Sequence, residues 1–169
     1  MTADTLSFVS DHPECFERSF PIGHITGSAW IINETCDQVI LLHHRKLDRW
    51  FQPGGHSDGN PDTRLVALRE AQEETGLKKL QLLGPGLFDV DVHLIPERKQ
   101  ELAHFHYDLR FLILGDSKER PEISEESNEV QWLSLPEAKE KNDERSITRM
   151  IEKTRSSKYL AGFSPQVLG

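Results

Sequence analysis

Residues 55–77 read GHSDGNPDTRLVALREAQEETGL, and this stretch decides the fold. Asn60 suits a helix N-cap, and Pro61 suits the first helical position, where its missing N–H costs nothing. The spacing predicts a helix running to Thr75, with Gly76 in the left-handed position that follows a helix end. At about 100° per residue, Leu65, Leu68, Ala71 and Thr75 share one face. Glu70, Glu73 and Glu74 then cover an arc roughly opposite it. They stand at i, i+3 and i+4, so their carboxylates are neighbours and repel. They also sit near the negative end of the helix dipole, where cations are preferred. A solvated acidic face is the plain explanation of a bare Glu-x-x-Glu-Glu. A hard divalent cation is the alternative, because it takes carboxylate oxygens and keeps waters for a phosphate. The turn Pro53-Gly54-Gly55, just before the helix, favours the cation: such a turn lets main-chain groups approach a metal or phosphate closely.

Outward from the helix, the pattern is mostly strand. His24–Ile32 and Gln38–His43 flank a turn cluster at Asn33–Asp37 and predict a hairpin. Trp50–Gln52 is a short strand after a polar loop at Arg45–Arg49. Leu80–Leu83, Leu87–Leu94, His104–Leu114 and Glu129–Leu133 predict further strands, with a charged loop over Gly115–Asn128. Pro136–Lys141 and Asp143–Ser156 read as helices, and the residues from Tyr159 as extended. A helical extension over about 4–18 would turn Leu6, Phe8, Val9 and Phe16 inward, with Pro13 working against it. No repeat or linker interrupts the chain. Strands with one strong internal helix predict an α/β (α+β) fold.

Composition narrows the function. The chain has 169 residues, which suits one domain over 1–169 with a core at about 20–158. Its net charge of −8, from 28 acids and 20 bases, excludes a non-specific binder of nucleic-acid polymers. Cys15 and Cys36 are too few for a disulfide framework and predict free thiols in a reducing compartment. Met1–Glu14 has no apolar core of a secretory signal, and no apolar run nears the roughly 18 residues of a membrane helix. These features predict a cytoplasmic protein with no membrane partner.

The stretch Gly55–Leu77 resembles the Nudix box. That pattern is a glycine, a glutamate after five intervening residues, then, after seven more, Arg-Glu, an aliphatic residue, any residue, Glu-Glu, any residue, Gly and an aliphatic residue. Gly55, Arg69, Glu70, Glu73, Glu74, Gly76 and Leu77 stand at those spacings. Ala71 is smaller than the usual aliphatic, and Pro61 replaces the first glutamate of the box. Flanking segments are also Nudix-like: Gly27-Ser28-Ala29-Trp30, Val39–Leu42, and Val130–Leu135 before a helix.

The resemblance implies a Nudix α/β/α sandwich with a mixed β-sheet. It implies hydrolysis of the diphosphate linkage of a nucleoside diphosphate joined to another moiety, with Mg²⁺ or Mn²⁺. Glu70, Glu73 and Glu74 would hold the cations, and the Gly54 carbonyl would add a ligand. Arg69 would orient a ligating carboxylate. Glu73 is one candidate for the catalytic acid–base group. Among the loop glutamates Glu122, Glu125, Glu126 and Glu129, the spacing to Trp132 favours Glu126 as the base that takes the proton of the attacking water. Asp58 or Asp62 would compensate for Pro61. A homodimer stays open as an assembly state.

Several other residues admit two roles each. Arg110 shares a strand face with His104 and His106 and would meet a substrate phosphate, or else be a sheet arginine. Trp50 would stack on a base, or else fill the core. His104 and His106, with His43, His44 or His56, would make a zinc site, or else be core histidines. The Pro61 change also keeps open a Nudix-fold module that binds a nucleotide without cutting it. A Nudix-fold isomerase has no supporting motif.

Overall fold

The computed structural model describes residues 2–98, 102–156 and 160–161. At its centre strand β1 (Gly23–Ile32) runs parallel to β7 (His104–Gly115), from Gly23 against Phe105 to Ile32 against Leu114. Every other pairing is antiparallel. β2 (Gln38–His44) and β4 (Gly54–His56) pair with β1, and β3 (Arg49–Phe51) and β8 (Ser127–Ser134) with β2. β5 (Leu80–Leu82) and β6 (Asp89–Ile95) pair with β7. The sheet is therefore mixed.

Strand alternation sorts the core into two layers. Ala29, Ile31, Ile40, Leu42, Ile113 and Val130 pack on Ala71 of helix α2 (Thr63–Thr75) and on Leu77 just beyond its end. Trp30, Ile32, Val39, Leu41, Leu112 and Leu133 face α3 (Leu135–Lys141) and α4 (Arg145–Arg155) through Ala138, Ile147, Met150 and Ile151. On that side the Trp30 indole donates to Thr154 Oγ1 at 2.8 Å, so the largest buried ring also has its N–H satisfied. The expected α/β/α sandwich has formed.

The position of α2 is set by Gly27. A Cβ there would lie 2.7 Å from the Thr63 carbonyl oxygen and 3.1 Å from Val66, so the helix rests almost on the β1 backbone. A helix this close needs small residues beneath it. Its buried face is Thr63, Val66, Ala67, Ala71, Glu74 and Thr75, while Leu65 is exposed. That corrects the expected face: the leucines do not define the inward side, and Glu74 lies within it. The helix start also moves. The N-cap is Asp62, whose side chain accepts from the Leu65 N–H, and Asn60 instead accepts from the Asp62 N–H at 2.9 Å. Gly76 takes the left-handed conformation, φ 68°, as expected.

Three further expectations change. The N-terminal helix α1 (Thr2–Asp11) stops before Pro13, and a 3-10 turn, Pro13–Phe16, follows. Phe8 is buried and stacks on Tyr107 at 3.9 Å, but Leu6 is exposed. The glycine turn continues into β4, a strand that the residue pattern does not announce. The loop expected over Gly115–Asn128 begins after β7 and ends where β8 starts at Ser127. Of the segment expected to be extended from Tyr159, only residues 160–161 are among the described residues; the Leu160 N–H turns back to the Ser156 carbonyl. Cys15 and Cys36 are free thiols. Among the described residues no helix is long and apolar enough to cross a membrane.

Candidate active site

Because α2 lies so close to the sheet, its C-terminal half overhangs β4. The Gly54 N–H donates to Glu74 Oε2 at 2.8 Å. A Cβ on Gly55 would fall 2.5–2.7 Å from the atoms of the Glu70 carboxyl group, so only glycine leaves that carboxyl its place. Arg69 donates to Glu70 Oε1 at 2.7 Å and to the His56 carbonyl at 3.4 Å, tying helix to strand. Glu73 is exposed beside them.

The electrostatics follow from burial. Glu74 is 8% exposed, and that burial pushes its carboxyl up to about 7; the Gly54 N–H opposes the shift, while Glu70, Glu126 and Glu73 add to it. Glu70 is raised for the same first reason, with Arg69 opposing and Glu73 and Glu126 adding. Four carboxylates thus feel one another, and one arginine is hydrogen-bonded among them. Glu126 comes from the loop before β8, and its charge reaches both Glu70 and Glu74. Glu122 instead packs on Gly76, its N–H bonded to the Thr75 carbonyl.

The structure places the other candidates elsewhere. Arg110 is 3% exposed, with Nε bonded to Asp108 at 2.7 Å and its other nitrogens beside Asp89 and Asp91. Trp50 is buried in the layer facing α3 and α4 and stacks on His43. Pro61 is exposed. Asp62 is occupied as the N-cap, and Asp58 is held in a two-pronged ion pair by Arg18.

Sequence reasoning missed His24. It is 3% exposed and lies among His56, His104 and His106, with ring centroids 4.9, 4.8 and 4.6 Å away. The signal was the alternation of His24, Thr26 and Ser28, which puts all three on one face.

Gly55→Ala isolates the placement of Glu70. The new methyl group displaces that carboxyl without touching the core, and a displacement near 1 Å costs about 100-fold in rate where geometry is catalytic. Steady-state kinetics should show that loss, with a melting temperature within a few degrees of wild type.

Comparison with known proteins bears on the family and the fold. The model of the NUDIX domain matches residues 24–153. Over 106 residues the chain is 27% identical to the asymmetrical bis(5′-nucleosyl)-tetraphosphatase of Rattus norvegicus, covering 63% of this chain and 69% of that one. A C. elegans Ap4A hydrolase structure superposes with a TM-score of 0.60 at 20% identity, covering 82% of this chain and 98% of the other. The E. coli dihydroneopterin triphosphate pyrophosphohydrolase superposes with a TM-score of 0.64 at 18% identity, covering 76% and 92%. With the box in register and the family model spanning most of its length, the chain belongs to the Nudix hydrolase family.

Proposed function

We propose that this protein hydrolyses the diphosphate linkage of a nucleoside diphosphate joined to another moiety, with Mg²⁺ or Mn²⁺. The observation that supports this most is the placement of Glu70 and Glu74 against Gly54–Gly55, both carboxyls desolvated and both within electrostatic reach of Glu126. Burying two like charges side by side destabilises a fold unless a cation compensates. Nudix proteins generally use a divalent metal, and this donor set suits a hard one: all oxygens, excess negative charge, one neighbouring arginine.

In this reading Glu70, Glu73, Glu74 and the Gly54 carbonyl hold the cation. Bound there, it supplies charge neutralisation to the diphosphate and a more acidic water. Arg69 fixes the Glu70 carboxylate by a charge-assisted hydrogen bond. Glu126, exposed and on a loop, takes the proton from the water that attacks phosphorus. Glu73 is the alternative base. The named activities of the relatives put dinucleoside polyphosphates and pteridine triphosphates first among substrates to test. Glu126→Gln should lower kcat at least 100-fold with KM nearly unchanged. An unchanged kcat would move the base to Glu73.

The second reading, a nucleotide-binding module without turnover, is favoured only by Pro61. Arg69 already bonds Glu70 and the His56 carbonyl without a glutamate at position 61. Pro61→Glu should therefore change kcat/KM by less than about tenfold, since Arg69 gains little from another partner of modest strength. Turnover that appears only in Pro61→Glu would favour the binding module.

A further inference from the structure

We propose that His24, His56 and His106 form a second cation site, selective for zinc and its first-row neighbours and separate from the carboxylates. One nitrogen from each of the three rings lies within 4.8 Å of the others. The strand register brings them together: His24 pairs with His106 across β1 and β7, and Thr26, two residues on, pairs with His56. All three line a cavity of about 550 Å³ rimmed by Phe20, Pro21 and Leu102, so an ion has a way in.

His24 supplies the independent observation. It is only 3% exposed, and neither ring nitrogen makes a hydrogen bond of good geometry; the Phe20 backbone is a weak partner for one of them and leaves the other with none. Buried polar atoms without partners are rare and costly, and an imidazole lone pair with no donor is a ligand in waiting. Among the described residues no carboxylate lines the cavity. Burial, reinforced by the neighbouring histidines, holds His24 down at about 4 and His106 lower still, so both rings are neutral near pH 7. Neutral imidazoles bind transition metals and attract anions poorly. Arg18, the cation of the cavity wall, is already paired with Asp58.

His104 offers a further nitrogen. Its Nδ1 stands 2.8 Å from the Leu102 carbonyl, which only accepts, so the neutral ring holds its proton on Nδ1 and presents the Nε2 lone pair. That Nε2 is 3.3 Å from Nε2 of His106. Two nitrogens on one tetrahedral zinc, each with a bond of about 2.0–2.1 Å, stand at about that separation. Nitrogen donors here and oxygen donors on α2 select different ions, so Mg²⁺ does not compete.

The test is a titration of the metal-stripped full chain with Co²⁺ in excess Mg²⁺, read by visible absorption and followed by displacement with Zn²⁺. Wild type should bind one equivalent of Co²⁺, with a visible band that Zn²⁺ bleaches. His106→Ala and His56→Ala should each weaken binding at least tenfold, and Glu74→Gln should leave it intact. His56, in the short strand β4, serves if His106→Ala does not fold. No visible band in wild type, or a band that survives both histidine changes and vanishes in Glu74→Gln, would overturn the proposal. The second outcome would leave the carboxylate site standing.

Discussion

Glu74→Gln is expected to abolish turnover and, in the metal-free protein, to raise stability at pH 8. The two effects have one cause. Burial lifts the folded-state Glu74 carboxyl from 4.5 to about 7. Below pH 4.5 the group is protonated folded and unfolded, and costs nothing. Between 4.5 and 7 folding takes up a proton, so stability falls as pH rises; above 7 the full penalty applies, roughly 3 kcal/mol at about 1.4 kcal/mol per pH unit. Glutamine keeps an oxygen for the Gly54 N–H and carries no charge. Chemical denaturation in a chelator should give near-equal stabilities at pH 4.5 and a variant more stable by about 2–3 kcal/mol at pH 8. Divalent cation should narrow the gap by stabilising only wild type. Two parallel pH profiles would contradict the desolvation argument. The kcat of the variant should fall by at least 100-fold.

The largest loss of stability should come from Asp89→Asn, in the ion-pair web that ties β6 to α4. Asp89 is 4% exposed and accepts from Arg149 at 2.6 and 2.8 Å and from Lys153 at 2.8 Å, with Arg110 at 3.5 Å. Burial alone would raise its carboxyl, but Arg149, Lys153 and Arg110 together hold it below the usual range. Its charge thus stabilises the fold above the unfolded-state pKa and stops doing so only as pH falls through the lower folded value. An asparagine leaves three cations facing a neutral amide. Removing one partner of a buried network costs about 3–5 kcal/mol. For a chain of this length that lowers the melting temperature by roughly 6–20 °C. Asp91→Asn, at a less buried carboxylate of the same web, should cost less. A shift below about 2 °C for Asp89→Asn would mean the web contributes nothing net.

These two residues mark how much the sequence disclosed. The grouping of Arg69, Glu70, Glu73 and Glu74 was legible because a short-range pattern fixed them in register on one helix; Glu126 was picked by its spacing to Trp132, and its charge reaches Glu70 and Glu74. The inward face of α2 was not legible. Leucine is the usual marker of a buried face, but close approach at Gly27 leaves room only for Val66, Ala67 and Ala71, and that approach is a tertiary fact. Arg110 looked free to meet a phosphate because Asp89 and the α4 groups beside it are distant in the chain, although Asp108, its nearest partner, lies only two residues away on the same strand face. His24 was overlooked although the alternation of His24, Thr26 and Ser28 marks one face of β1, because its histidine partners stand on β4 and β7 and only the sheet register brings them together.

The most direct test of the central claim is a hydrolysis screen of the wild-type chain. Dinucleoside polyphosphates and other nucleoside diphosphate derivatives, with a pteridine triphosphate beside them, would be incubated with Mg²⁺, with Mn²⁺ or with chelator, and the products separated and quantified. Cleavage of a diphosphate linkage is expected in at least one compound, dependent on the added cation and absent in chelator. Binding of these compounds without cleavage under any cation, or cleavage that persists in chelator, would contradict it.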